Sequence, residues 1–358
     1  MKRLAELTII LSLCLAVVPG AMALPFPISD VRALGMGGAF VAAGEGISAV
    51  QYNPALLGKD STVGVSLPEV ILRIEDHIGL ADLIDELNDP ATLASPAAAV
   101  AILAQLDEGG ALDIQAGGAA GAGFDLFGIS AGLTYAQTIY GTAYPDNIST
   151  DPGNVLDTNY NNLQYRAVES RQIIMTGAKS FGSMILGANV RSIDATVYMD
   201  EAWLFDDPGT GVGDIADGIE SDESATAIDV GVFMNVLPML DVGIVGRDIN
   251  GPEIGDVEFE ARYRVGAALN LPMITIAADY DVGENSVDDG TEYQEWAVGA
   301  EFDLWAIALR GGLSQNTGQS GATTLLHLGV GLGFIDIGAA YAEEGDYYIA
   351  GANLTLGF

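Results

Sequence analysis

The sequence predicts an all-β transmembrane protein, an antiparallel β-barrel of about fourteen strands. Three observations carry that expectation. From residue 110 onward, apolar and polar residues alternate with period 2 in segments of about ten, as in strands that show lipid to one face and an enclosed interior to the other. Only 17% of residues are charged, 46 are glycine, and mean hydropathy is +0.32. Yet nothing beyond the leader offers the ~20 continuous apolar residues of a spanning helix. Lipid satisfies backbone groups only in helices and in closed barrels, so an apolar chain without long apolar runs points to the barrel.

The elements follow in chain order. Met1-Lys2-Arg3, the apolar stretch Leu7 to Val18 and the Ala21-Met22-Ala23 cleavage pattern predict a signal peptide over 1–23. Leu13 before Cys14 is too large for a lipobox. Cys14 is the only cysteine, so the mature chain has no thiol for disulfides, clusters or nucleophiles. Removal of the leader leaves 11 basic against 48 acidic residues, a charge of −37. Nucleic acid is excluded as a partner, because neutralising phosphates takes clustered Lys and Arg.

Residues 24–60 lie outside the strand pattern and contain Arg32-Ala-Leu-Gly-Met-Gly-Gly-Ala-Phe40 and Tyr52-Asn-Pro-Ala-Leu-Leu57. A first strand is expected near 62–74. Residues 78–107 read as helical, with Leu80, Leu83, Ile84 and Leu87 at helical spacing, a break near Pro90 and an Ala-rich stretch from Pro96 to Leu106.

Strands then alternate between tight and long connections. Tight ones are expected at 124–127, 181–183, 237–239, 271–273, 302–305 and 333–334. Long polar ones are expected at about 141–167, 199–224, 250–256, 284–291, 314–322 and 343–346. Short periplasmic turns and long external loops are the usual asymmetry. An even strand number places both termini in the periplasm and the helical insert outside the cell. Aromatics sort by end as well. Phe124, Phe127, Phe181, Phe302, Trp305, Phe334 and Phe358 gather at the tight turns, and Tyr135, Tyr140, Tyr198, Tyr280, Tyr293, Tyr341, Tyr347 and Tyr348 lie toward the other. Two aromatic girdles suit two membrane interfaces. The expected location is the Gram-negative outer membrane, with bilayer and lipopolysaccharide as surroundings.

Arg32-x-Leu-Gly-Met-Gly-Gly-Ala-Phe40 paired with Tyr52-Asn-Pro-Ala-Leu-Leu57 behind a signal peptide resembles the FadL superfamily, most closely its TraF-like (conjugal-transfer-type) and PorV-like branch. The helical insert fits the TraF-like branch. The resemblance implies that 24–60 fold into the lumen as a hatch, with the barrel occupying 61–358. It implies transport of hydrophobic compounds in some members and a partner's role in secretion in others. Physical reasoning agrees with a hatch, since fourteen strands enclose more space than their own side chains fill. Gly35, Gly37 and Gly38 permit tight turns against a wall, and Asn53-Pro54 initiates a turn.

Candidate lumen residues follow from parity. Glu258, Glu260, Arg262 and Arg264 form a charged ladder on one inward face, either an internal ion-pair network or an anchor for hatch or substrate carboxylate. Arg247, Arg310 and His327 point the same way, and Arg32 is a candidate partner for Glu258 or Glu260. Gly35-Met-Gly-Gly38 lacks the spacing of a phosphate loop. With His77 and His327 the only histidines, no histidine-rich metal site can be built. Asp206, Asp207, Asp214, Asp217, Glu220, Asp222 and Glu223 lack calcium-loop spacing and read as a solvated loop. No cofactor and no enzymatic chemistry is expected.

Two functions remain open. One is a passive channel for small hydrophobic or amphipathic molecules, with the external helices as an apolar landing surface. The other is a non-transporting scaffold in secretion or conjugal transfer. Apolar pockets near the hatch would favour the channel; a lumen filled by charged pairs and hatch side chains would favour the scaffold.

Overall fold

The computed structural model describes residues 29–59, 64–66, 69–76, 79–107, 111–205, 219–254, 257–258, 260–286, 292–318, 323–333, 335–342 and 347–357. The expected signal peptide, His77, Phe334, Phe358 and residues 206–218 of the expected acidic loop lie outside these residues.

Alternation makes the wall. Its first strand, β1, comes in two pieces, Gly64–Ser66 and Val70–Asp76. Next are β2 (Leu112–Leu126), β3 (Ile129–Asp146), β4 (Asn162–Phe181), β5 (Met184–Trp203), β6 (Ile219–Leu237) and β7 (Leu240–Arg247). The circuit continues with β8 (Arg262–Leu271), β9 (Ile274–Asp281), β10 (Glu295–Leu304), β11 (Ile307–Asn316), β12 (Leu325–Leu332), β13 (Ile335–Ala342) and β14 (Tyr347–Gly357). Each pairs antiparallel with its neighbours, and β14 returns to pair with β1. Closure leaves no edge to template aggregation. On β12, Leu326, Leu328, Val330 and Leu332 are exposed while Leu325, His327, Gly329 and Gly331 are buried. The greasy face looks outward, and no second sheet covers it.

Register shows where β1 departs from regularity. Ser66 pairs with Gly121 and Ile71 with Gly117, while on the other side Ser66 pairs with Thr355 and Val70 with Ala352. Both neighbours advance one residue less than β1 across 67–69.

Turns at one end are two residues long and use positive φ at Phe127, Gly128, Met273 and Trp305, as the twist of a tight hairpin demands. At the other end β3 and β4 are longer than the sequence pattern suggests. The expected loop at 141–167 shrinks to 147–161, because Tyr144 pairs with Gln164 and Thr142 with Arg166. Leu163, Tyr165 and Ala143 pack there against the helical insert, on the face opposite Thr142, Gln164 and Arg166.

Between β1 and β2 lie α2 (Leu80–Leu87), α3 (Pro90–Leu93) and α4 (Pro96–Leu106), taking α1 as Val31–Gly35. Asp89 caps α3 by accepting from the Ala91 N–H, and proline opens α3 and α4. Leu80, Leu87, Ile102, Leu103 and Leu106 turn into one core with Val155, Leu163 and Leu204. Asn88 ties α2 to the wall by donating to the Leu204 carbonyl. Ala97, Ala101, Ala104 and Gln105 are left outside, so the apolar landing surface expected of this insert is spent on its own packing. Leu103→Ala should cost about 2–5 kcal/mol through lost transfer and cavity terms. Because opening is local, faster proteolysis of 80–106 without loss of barrel heat-modifiability is the expected readout.

Candidate functional site

Residues 29–59 fill the barrel. Asp30 caps α1 by accepting from the backbone N–H of Arg32 and Ala33, and the helix ends at Gly37 and Gly38, whose φ values are 71° and 86°. Two 3-10 turns follow, Ser48–Gln51 and Pro54–Gly58. The second is opened by Asn53, whose Oδ1 accepts from Ala55 N–H at 3.0 Å and whose Nδ2 donates to the carbonyls of Val41 and Val232. Phe40 meets Tyr52 edge-on at 5.2 Å. The Tyr52 hydroxyl accepts from Ser29 N–H, and burial, with Asp30 nearby, raises its pKa and keeps it a neutral phenol.

The segment rests on wall glycines. A Cβ at Gly243 would overlap the Val41 carbonyl, at Gly299 the Met36 carbonyl, at Gly231 the Asn53 side chain and at Gly187 the Ala55 backbone. One at Gly312 would lie 2.5 Å from Gly37 N, and one at Gly329 2.9 Å from Gly35 Cα. These glycines sit on β5, β6, β7, β10, β11 and β12. On these six of its fourteen strands the wall is cut back to the shape of the inserted chain.

Charged pairs clamp the same segment. Arg32 grips Glu301 bidentately at 2.6 and 2.8 Å and reaches Glu45 at 2.9 Å. Arg310 bonds Glu301 from the wall side and also Asp336. Asp279 accepts from the N–H groups of Phe40 and Val41 at 2.7 and 2.9 Å. Asn189 donates to the Val50 carbonyl and to Asp229. Arg191 pairs with Asp229 and Asp248, and Arg262 joins Asp248 at 2.7 Å. Arg264 binds Asp281 and Glu295, and Arg247 donates to the Gln51 carbonyl at 2.9 Å. His327 lies between Leu34 and Ser314. The Leu34 carbonyl can only accept, so Nδ1 carries the proton and Nε2 accepts from the serine hydroxyl.

Arg247, Arg262, Arg264, Arg310 and His327 thus all face the lumen. Their partners include residues that the expected ladder did not name. Arg262 and Arg264 use Asp248, Asp281 and Glu295, and Arg32 takes Glu301 and Glu45 in place of Glu258 or Glu260. Glu260 is half-buried just before β8; of Glu258, only the backbone pairing with Glu253 is described. Gly35, Gly37 and Pro54 touch the wall, while Gly38 supplies a turn, its N–H donating to Ala33. Parity on β9 and β10 already placed Asp279, Asp281 and Glu301 inward and could have identified them; the glycine seats carried no such signal. Where this segment meets β1–β4 and β7, a cavity of about 60 Å³ remains, bordered by Gln51, Glu69, Arg73, Gln115, Thr138, Gln172 and Arg247 among others. Its lining mixes polar groups with Ile71, Ala119, Ala136 and Ile349, and it is smaller than the ~150 Å³ apolar cavity that takes a benzene ring. Among the described residues, no group of three or more His, Cys, Asp or Glu could hold a metal ion.

The sequence matches the family described as "F plasmid transfer operon, TraF, protein" over residues 50–303, from inside the lumenal segment to the end of β10. The chain belongs to this family. Its fold is that of FadL-type channels. The CymD monoaromatic hydrocarbon channel superposes with a TM-score of 0.61 at 14% identity, covering 94% of this chain and 99% of that one. The Ralstonia pickettii toluene transporter TbuX gives 0.56 at 13%, covering 91% and 97%. A Pseudomonas aeruginosa FadL homologue gives 0.55 at 11%, covering 94% and 97%. At such identities the likeness is one of fold. No curated protein matches the sequence.

Proposed function

We propose that this family member is an outer-membrane channel of FadL type, taking up small hydrophobic or amphipathic molecules passively, with residues 29–59 as the hatch that holds it closed. The observation that carries this reading is the form of the hatch–wall contact. A scaffold has no need of an interior, and eight strands fill their own. Here fourteen strands enclose a wide lumen that is glycine-lined where the hatch lies, and a segment separate from the wall strands fills it through hydrogen bonds, ion pairs and an apolar cluster. Both termini and the tight turns would face the periplasm, and the helical insert the outside.

A second reading has its own support. The lumen around the hatch is occupied by charged pairs and buried hatch side chains, and the cavity beside it is small. Together with the family's conjugal-transfer description, this favours a non-transporting scaffold in secretion or conjugation.

Flux separates the two. Asn53 makes three hydrogen bonds at the hatch's centre, and truncating it strands buried groups at about 1–3 kcal/mol, equivalent to roughly 5- to 150-fold in the open population. Labelled toluene and labelled fatty acid should enter vesicles containing the unaltered protein slowly, and vesicles with Asn53→Ala at least about fivefold faster. If neither protein conducts while both remain folded, the channel is eliminated and the scaffold stands.

A further inference from the structure

Closure removes the edges of a sheet only as far as neighbouring strands reach. β6 is 19 residues long and β7 is 8. Their pairing stops at Val230 with Gly246, whereas β6 stays paired with β5 as far as Ile219 with Met199. Among the described residues, 219–229 therefore carry a strand on one side only. Asn250 finishes the step. Its Oδ1 accepts from the Ile228 N–H and its Nδ2 donates to the Thr226 carbonyl, both at 2.7 Å. The chain then leaves β6, and Glu253–Ile254 pairs with Val257–Glu258.

These contacts fix which groups face the gap. Thr226 and Ile228 turn their backbone to Asn250, and backbone direction alternates along a strand. Asp222 and Ser224 therefore present N–H and C=O to the same side, where no described residue bonds them. Both residues are exposed. From 219 to 225 the open edge runs for about 24 Å. Charge says what it can accept. Between Arg191 and Arg247 the sequence has 12 acidic residues and no Lys or Arg, and Glu220, Asp222 and Glu223 lie on the edge itself. Like charges directly opposite destabilise a strand pair, so the acids turn away a second copy. They leave the edge open to a strand of opposite sign.

We propose that the open edge of β6, at the long-loop end of the barrel, docks an extended Lys- or Arg-rich segment of another protein as an added strand. Backbone groups of Asp222 and Ser224 supply the ladder, and the acidic side chains select the partner's charge, the division of labour usual in strand addition. The site uses the wall alone, so it holds whether the barrel conducts or serves as a scaffold.

The probe is an end-capped, fluorescein-labelled peptide alternating Lys with Val and Thr, titrated onto the mature chain in detergent micelles and read by anisotropy. Saturable binding that weakens with salt is expected, and none when Glu replaces Lys. A fully N-methylated peptide keeps the charge but loses every ladder donor, and should not saturate the protein. Ser224→Pro removes one donor on the open side and spares the β5 ladder. With barrel heat-modifiability unchanged, it should weaken binding roughly 2- to 12-fold, the net contribution of one hydrogen bond. Equal binding of the methylated peptide would reduce the contact to general charge attraction and overturn the proposal. So would no binding by the unaltered protein. Self-association that Ser224→Pro abolishes, with no peptide bound, would give the edge to a second copy and overturn it too.

Discussion

Valine in place of Gly231 is expected to unseat residues 29–59 while leaving the barrel closed. The glycine lies on β6 beneath Asn53-Pro54. A Cβ there would overlap the Asn53 side chain and approach Pro54 Cδ to 2.8 Å. Asn53 cannot move aside without giving up its bonds to Ala55, Val41 and Val232. Strand propensity alone predicts the opposite sign, since valine exceeds glycine within a strand by up to about 1 kcal/mol. Overpacking of about 1–3 kcal/mol, more where backbone is struck, should outweigh that gain. Gly177→Val is the control: this glycine faces outward on β4 and a Cβ there meets nothing within 4 Å. Gly231→Val should raise amide exchange across 40–57 and ion conductance in planar bilayers, whereas Gly177→Val should change neither. Equal behaviour of the two variants would show that the glycine track does not seat the segment.

That contrast also marks how far the sequence could be read. Period-2 alternation follows from strand geometry, so the inward direction of Arg247, Arg262, Arg264, Arg310 and His327 was legible without coordinates, as was the count of about fourteen strands. Pairing was not. Glu260 and Arg262 share a face two residues apart along one strand, but directly opposite cross-strand neighbours come closer, with Cβ atoms about 4.5–5.5 Å apart. Arg264 therefore meets Asp281, its register partner on β9, and Arg310 meets Glu301, its partner on β10. Register depends on turn length, and the turns are a residue or two tighter than the Phe-x-x-Phe spacing implied. Glycine hides the rest of its role: parity turns Gly177 outward and Gly231 inward, but only the chain folded against the second shows why a side chain is missing there. The upper reaches of β3 and β4 escaped notice because Leu163 and Tyr165 alternate with Asn162, Gln164 and Arg166 over too few residues to stand out, and their apolar face meets the helical insert.

Glu301 is the second decisive position, because it joins the inserted segment to the wall by charge on both sides. Its two oxygens receive Arg32 bidentately, and Oε2 also receives Arg310. Glu301→Gln keeps the volume and removes the charge. Arg310 retains Asp336 and Arg32 retains Glu45, so the cost should fall near 3 kcal/mol, the low end for breaking a buried ion pair. Groups acting through one carboxylate are not additive. Arg32→Met should therefore cost nearly as much as Glu301→Gln alone and little more when combined with it, giving a coupling energy of about 2 kcal/mol. Glu301 and Arg310 are largely withdrawn from solvent, and buried pairs are screened little by salt. The same difference is expected at low and high ionic strength, measured as exchange protection over 31–36. Additive losses, or a coupling that vanishes in salt, would mean that the pair decorates the lumen without latching the segment into it.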